Sequence, residues 1–128
     1  MCSKMPALMS DENIAPVEMI ICTDDVSYDV PDAAFFVKDT RGRYTAVNRS
    51  LAERVGCQRP EDLIGRTVHE VYPADLAGRF ARQDEAVLRT GRPIIGKLEL
   101  HWYPRRKPGW CFTTKFAIRD EHGDVIGL

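Results

Sequence analysis

Apolar and polar residues change period several times along this chain, and each change marks an element. Phe35-Phe36-Val37-Lys38 is a short aromatic and β-branched run that predicts a strand. Asp39-Thr40-Arg41-Gly42 then supplies turn chemistry, because aspartate bonds its own backbone and glycine tolerates positive φ. Tyr44 to Val47 predicts a second strand, and Asn48 is placed to cap the helix that follows. Within Arg49 to Gly56, Leu51, Ala52 and Val55 share one helical face, and Gly56 suits the position just past the last turn. Pro60 with Glu61 and Asp62 predicts a single helical turn that Gly65 ends. Thr67 and Glu70 form a capping box for a helix that Pro73 cuts short.

The longest helix is predicted from Asp75 to about Thr90, with Gly91 and Pro93 as its stop. At 100° per residue, Leu76, Ala77, Phe80, Ala81, Val87 and Leu88 fill one arc, while Arg79, Arg82, Glu85 and Arg89 fall opposite. Two polar residues break the apolar arc: Gln83 at its edge, and Asp84 near its middle between Phe80 and Leu88. A buried carboxylate costs several kcal/mol unless it is paired, so Asp84 is the most informative irregularity in the chain. Ile94 to Trp102 and Trp110 to Ile118 predict two long antiparallel strands. Leu98, Leu100 and Trp102 alternate with Glu99 and His101; Trp110, Phe112, Thr114 and Phe116 alternate with Cys111, Thr113 and Lys115. The aromatic face is expected to meet the helices, leaving Glu99, His101, Thr113 and Lys115 on the outer face. Asp120 to Gly123 predicts a turn, and Asp124 to Leu128 begins a last strand. Residues 1–28 carry weaker signals: Pro6 interrupts any early helix, and Val17 to Cys22 is apolar before Thr23-Asp24-Asp25.

With 128 residues the chain has the length of one domain, and a net charge of −1 provides no bulk field toward nucleic acid or an anionic membrane. The basic run Arg105-Arg106-Lys107, flanked by Pro104 and Pro108, reads as a solvated loop. Cys2, Cys22, Cys57 and Cys111 form no CxxC pair, and no histidine stands at metal-ligand spacing, so the cysteines read as reduced thiols of a cytoplasmic protein and no metal site is expected. No apolar run approaches the roughly 18 residues of a membrane span. Catalysis finds no foothold either. There is no GxSxG and no glycine-rich phosphate loop, and the adjacent carboxylates Asp24-Asp25 and Glu61-Asp62 diverge or cap helices. No catalytic residue is assigned.

The hairpin FFVKDTRGRYTAVN, the string LIGRTVHEVYP and the closing strands resemble a PAS domain over residues 31–128. QDEAV, LELHWYP and GWCFTTK, taken with the hairpin, are similar to the N-terminal PAS domains of bacterial AraC-type transcription regulators. The resemblance implies an α+β PAS fold: a five-stranded antiparallel sheet with short helices and one longer helix on one face. Residues 1–30 would be a leader or flanking helix, and the domain would be cut within its last strand. Haem-binding relatives place a histidine on or near the long helix, but Asp75 to Thr90 contains none; His69 precedes it, His101 is on a strand and His122 in a turn. Flavin-binding relatives carry a reactive cysteine in an NCRFLQ-like stretch, and Cys57 in VGCQRPEDL departs from it almost throughout. Neither cofactor is expected.

What remains is a small-molecule signal held between sheet and helices. The candidate lining is Phe36, Phe80, Gln83, Asp84, Val87, Leu98, Leu100, Trp110, Phe112 and Thr114, which could equally fill that space as core. Asp84 would be a ligand anchor or a staple to Thr114, a Trp indole or Lys115. The first expectation is a sensor domain of a transcription regulator, a homodimer whose contact with DNA goes through an effector outside this chain. The second is a ligand-free dimerisation module of a histidine kinase or cyclic-di-GMP enzyme, with Glu99, His101, Thr113 and Lys115 at the interface. A third is an enzyme on a related cup, with Asp84 as base.

Overall fold

The computed structural model describes residues 33–102 and 107–128. Strand β1 (Phe36–Lys38) pairs antiparallel with β2 (Tyr44–Val47), Phe36 lying opposite Val47. The turn between them forms as its residues dictate. Asp39 Oδ1 accepts from the backbone N–H groups of Arg41 and Arg43 at 2.9 and 3.0 Å, and Gly42 sits at φ 77°. Asn48 is buried and fully used: Oδ1 accepts from Leu51 N (3.1 Å) and Phe35 N (3.0 Å), and Nδ2 donates to Ala33 O (2.7 Å). One side chain thus caps helix α1 (Arg49–Arg54) and holds the entry to β1.

A single 3₁₀ turn (Pro60–Leu63) follows, and Tyr44 binds it to the hairpin by exchanging backbone bonds with Gly65 and Arg66. In helix α2 (Val68–Val71) the Glu70 carboxylate accepts from Thr67 N–H at 3.1 Å. Helix α3 runs over Ala74–Thr90 and ends where the sequence predicts, with Gly91 left-handed at φ 69° and its N–H on Val87 O. Its buried positions are Leu76, Ala77, Phe80, Gln83, Asp84 and Val87, the expected arc with both polar interruptions included. Tyr44, Val47, Leu51, Ala52, Leu63, Val68, Leu76, Ala77 and Phe80 form the main core, and Val37, Ala46 and Ile118 a smaller one behind the hairpin.

Strands β3 (Ile94–His101) and β4 (Gly109–Lys115) pair antiparallel, Leu98 opposite Phe112 and Glu99 opposite Cys111. β4 stops short of the predicted Ile118, which belongs to a separate strand β5 (Ile118–Arg119) paired with β6 (Val125–Gly127). The described strands therefore form three antiparallel pairs rather than one continuous ladder of five. A bridge between Asp39 and Gly127, with Lys38 and Leu128 exchanging both backbone bonds at 2.7 and 3.0 Å, ties β1 to the end of β6. The leader, residues 1–30, and Arg105 and Arg106 of the basic run lie outside the described residues, apart from which Lys107 is exposed.

One expectation is reversed. Glu99 and Lys115 are each 4% exposed, and His101 and Thr113 lie on the same inward face; Leu98, Trp110 and Phe112 are 54%, 69% and 78% exposed. Leu100 and the exposed Thr114 share that outer side. The reason is pairing: Glu99 and Lys115 meet Gln83, Arg79 and Asp84 of α3, which offsets the desolvation of burying them, whereas burying the aromatic face would take those partners away from α3.

Replacing Asn48 with Ala removes three bonds from two segments at once. Asn48→Ala is expected to lower stability by about 2–3 kcal/mol in urea unfolding, above the ~1 kcal/mol of an ordinary cap. A loss below about 0.5 kcal/mol would show that the cap does not organise the hairpin.

Candidate functional site: a lysine-lined cavity under the long helix

Asp84 projects from the apolar arc of α3 into the space between the two hairpins. Its Oδ2 is 2.5 Å from Lys38 Nζ of β1, and its Oδ1 is 2.6 Å from Lys115 Nζ of β4. All three residues are at most 4% exposed. The lysines approach from opposite strands, so one carboxylate joins helix, first hairpin and second hairpin. Aromatic faces complete the shell: Lys38 Nζ lies 4.8 and 4.7 Å from the ring centres of Phe36 and Tyr44, and Lys115 Nζ lies 5.8 and 5.3 Å from those of Phe36 and Phe80. Two ammonium groups answer one carboxylate, leaving the cluster with one surplus positive charge.

A second buried group stands alongside. The Glu99 carboxylate accepts from Gln83 Nε2, lies 3.5 Å from His101 Nε2, and has the Arg79 guanidinium 3.9 Å away. Burial opposes its ionisation, but hydrogen bonds from Thr113, Gln83 and His101, together with Arg79, hold it below the ordinary carboxylate range. Burial also lowers the pKa of His101, against the pull of Glu99, so the imidazole is neutral near pH 7. Its ring meets Phe80 edge-on, with centroids 5.0 Å apart. Desolvation is the largest influence on Lys38, and with Lys115 it outweighs the attraction of Asp84, bringing the ammonium down to about 8.

Beside these groups lies a cavity of about 90 Å³, bounded by Phe36, Lys38, Tyr44, Leu51, Arg54, Tyr72, Phe80, His101, Thr113, Lys115 and neighbours. A second space of about 160 Å³ adjoins it, sharing Ala34, Phe36, Thr114 and Lys115. The larger groove of about 460 Å³ lies across α3, where Asp84, Ala81 and Leu88 face the β1–β2 turn and α2. That groove is open, whereas the charged groups converge on the small cavity, so the cavity is the candidate site. Its volume falls well below the ~300 Å³ of a drug-sized ligand site, which restricts it to a small molecule.

Of the residues expected to line a pocket, the structure brings Phe36 and Phe80 to this cavity, and Thr114, although exposed on the outer side of β4, borders it. Asp84 stands behind its lysines, Gln83 is committed to Glu99, and Val87 is buried in the helix packing. Leu98, Trp110 and Phe112 turn away from it, and the side chain of Leu100 shares their side of the sheet, while its backbone carbonyl accepts from Arg79 at 2.6 Å. His101, Thr113 and Lys115, expected outside, line it instead. Lys38, Tyr44 and Tyr72 were not foreseen. Period-two alternation from Phe36 already puts Lys38 on the same side of β1, and an isolated carboxylate in an apolar arc calls for a cation, so that signal was present. Among the described residues no group of three potential ligands could hold a metal, and no helix is long and apolar enough to cross a membrane.

Two hairpins packed against one long helix over a small cavity make this an α+β domain. The family profile described as the PAS fold matches residues 29–128, and the chain belongs to that family. A solved structure of the Vibrio cholerae VqmA dimer, described as a LuxR-type receptor, is 31% identical with a TM-score of 0.68, covering 78% of this chain and 44% of that one. VqmA bound to DPO gives 31% and 0.68, covering 79% of this chain and 50% of that one. A PAS domain from Colwellia psychrerythraea (16%, TM-score 0.57, covering 73% and 78%) supports the fold alone. The chain thus spans about half the length of VqmA. The AraC-type likeness has no counterpart among the structures named here. The search of curated proteins returns no match.

Removing the central carboxylate leaves two buried ammonium groups facing each other. Asp84→Ala is expected to cost about 3–5 kcal/mol in chemical unfolding, far more than Lys38→Met, which leaves the Asp84–Lys115 pair neutral. Equal losses would show that the charges are not coupled.

Lys38 also sets a pH signature. Its folded pKa of about 8 lies below the ordinary 10.5, so below pH 8 both states hold the proton and the cost of burial is present in full. Between those values the unfolded chain binds a proton the native state has shed, and stability rises with pH. The stability of the wild type relative to Lys38→Met is therefore expected to climb between pH 8 and 10.5 and then level. A gap that stays constant or narrows the other way contradicts the assignment.

Proposed function

We propose that this chain is the cytoplasmic sensor domain of a bacterial transcription regulator, acting as a homodimer, in which a small molecule occupies the lysine-lined cavity. Occupancy is passed to a DNA-binding effector outside these 128 residues. The observation that carries the proposal is the cavity's composition: rings of Phe36, Tyr44, Tyr72 and Phe80 around ammonium groups that outnumber the carboxylate between them. Each ammonium has three N–H donors and spends one on Asp84. The fitting ligand is small, flat and mostly apolar, with one oxygen or nitrogen acceptor directed at Lys115. The likeness to VqmA, solved with DPO bound and also as a ligand–DNA complex, supports the same class of function.

A route out of the cavity supports the signalling part. Lys38 carries its ammonium in the cavity wall and its backbone in the ladder with Leu128. A ligand that draws Lys38 or Lys115 away from Asp84 alters β1, β4 and α3 together, and with β1 the pairing of the final strand. Only a ligand with unequal affinity for the two arrangements shifts their populations. The exposed face bearing Leu98, Trp110 and Phe112 supports the homodimer, and favours a second reading in which dimerisation proceeds without any ligand.

Thermal denaturation with DPO and a panel of small cyclic amides and heteroaromatic alcohols tests the proposal. A binder at a hundred times its dissociation constant is expected to add about 2.7 kcal/mol. Lys115→Met is expected to abolish the shift, while Leu98→Ser leaves it intact and weakens the dimer by sedimentation. No shift from any compound, or a shift that survives Lys115→Met, overturns the site.

A further inference from the structure

We propose that Lys38 is a covalent capture site, whose Nζ condenses reversibly with a small aldehyde or ketone entering the cavity and holds it as an iminium paired to Asp84. The proposal rests on the reading above that this cavity admits a small molecule. It adds a bond that ordinary receptor binding does not require.

Three features of the geometry converge. The Lys38 stem is enclosed, and its Nζ sits between the faces of Phe36 and Tyr44 at the wall of the 90 Å³ cavity. That volume is about three water molecules' worth, which suits a carbonyl compound of a few heavy atoms. Asp84 Oδ2 lies 2.5 Å from the amine, near enough to take its proton and return it. Lys115 grips the other oxygen at 2.6 Å, so the carboxylate keeps its aim while Lys38 reacts. Desolvation and the neighbouring ammonium act in the same direction, leaving roughly a tenth of Lys38 as free amine at neutral pH.

The step balances. Asp84 accepts a proton from the ammonium, the freed lone pair forms a C–N bond to the carbonyl carbon as the C=O π bond breaks, and the former carbonyl oxygen takes up a second proton from that nitrogen. The carbinolamine then loses that oxygen as water, with Asp84 returning its proton to the departing hydroxyl. Overall, ammonium plus carbonyl becomes iminium plus water, with no oxidant or reductant. One positive charge enters and one remains, now on an N–H still bonded to Asp84. Imine formation thus preserves the buried ion pair, whereas acylation of Lys38 would strip it of a charge.

The test uses the full chain with acetaldehyde or hydroxyacetone, sodium borohydride to fix the adduct, and peptide mapping. An amine brought down to about 8 holds on the order of 100-fold more free base at neutral pH than the reference lysine value of 10.5 allows. Lys38 is therefore expected to be alkylated about tenfold or more ahead of the exposed Lys97 and Lys107, and prior incubation with DPO at a concentration that shifts the melting temperature should suppress it. Lys38→Arg, which keeps the charge, should abolish the fast labelling and leave slow surface labelling unchanged. Lys38 unmodified while Lys97 and Lys107 react, labelling without preference, or preferential labelling of Lys115 each overturns the proposal. A thermal shift by DPO without Lys38 labelling refutes covalent capture alone; neither shift nor labelling refutes the cavity reading as well.

Discussion

The carboxylate of Asp84, clasped between Lys38 and Lys115, is the interaction on which the rest of this structure depends. It joins three elements that are distant in sequence: β1, the centre of α3, and the end of β4. An apolar side chain at position 84 would pack against any greasy surface, but a buried carboxylate accepts only an arrangement that brings cations to both its oxygens. The ion triad therefore acts less as a source of stability than as a constraint on which face of each hairpin turns inward.

That constraint explains the inversion of the second hairpin. Seen alone, β3 and β4 carry a better apolar face in Leu98, Leu100, Trp110 and Phe112 than in Glu99, His101, Thr113 and Lys115, and hydrophobic transfer favours burying the former. Tertiary context reverses the preference. Asp84 requires Lys115, and the amide of Gln83 together with the Arg79 guanidinium requires Glu99. A two-residue period allows only one face inside, so satisfying α3's polar groups sends the aromatic residues out. The cavity beside the triad follows from the same choice. Charged groups pack by direction as well as by volume, and the rings around them cannot close every gap.

The polar interior also couples the site to the chain's last described strand. Lys38 carries both its ammonium in the cavity wall and backbone bonds to Leu128. On the reading proposed above, a ligand that displaces Lys38 would bear on that ladder as well as on a side chain.

Much of the fold was legible from local chemistry, because caps and turns are decided by residues a few positions apart. Asn48, Asp39 with Gly42, the Thr67–Glu70 pair and Gly91 each do in space what their types and spacing imply. The family was legible through the strings those same turns produce. Asp84 could be marked as anomalous from helical periodicity alone, and Lys115 could be named among its partners. Lys38 escaped notice because a lysine ending a short strand looks like any solvated terminus until its neighbour across the fold is known. By itself, then, the chain's order of residues determined its helices, turns and the location of the odd carboxylate, all set by interactions within a few residues. Which sheet face is interior, how two lysines converge on one acid, and that a cavity is left there were decided only in three dimensions, because a buried charge selects its partners by distance in space and not by position along the chain.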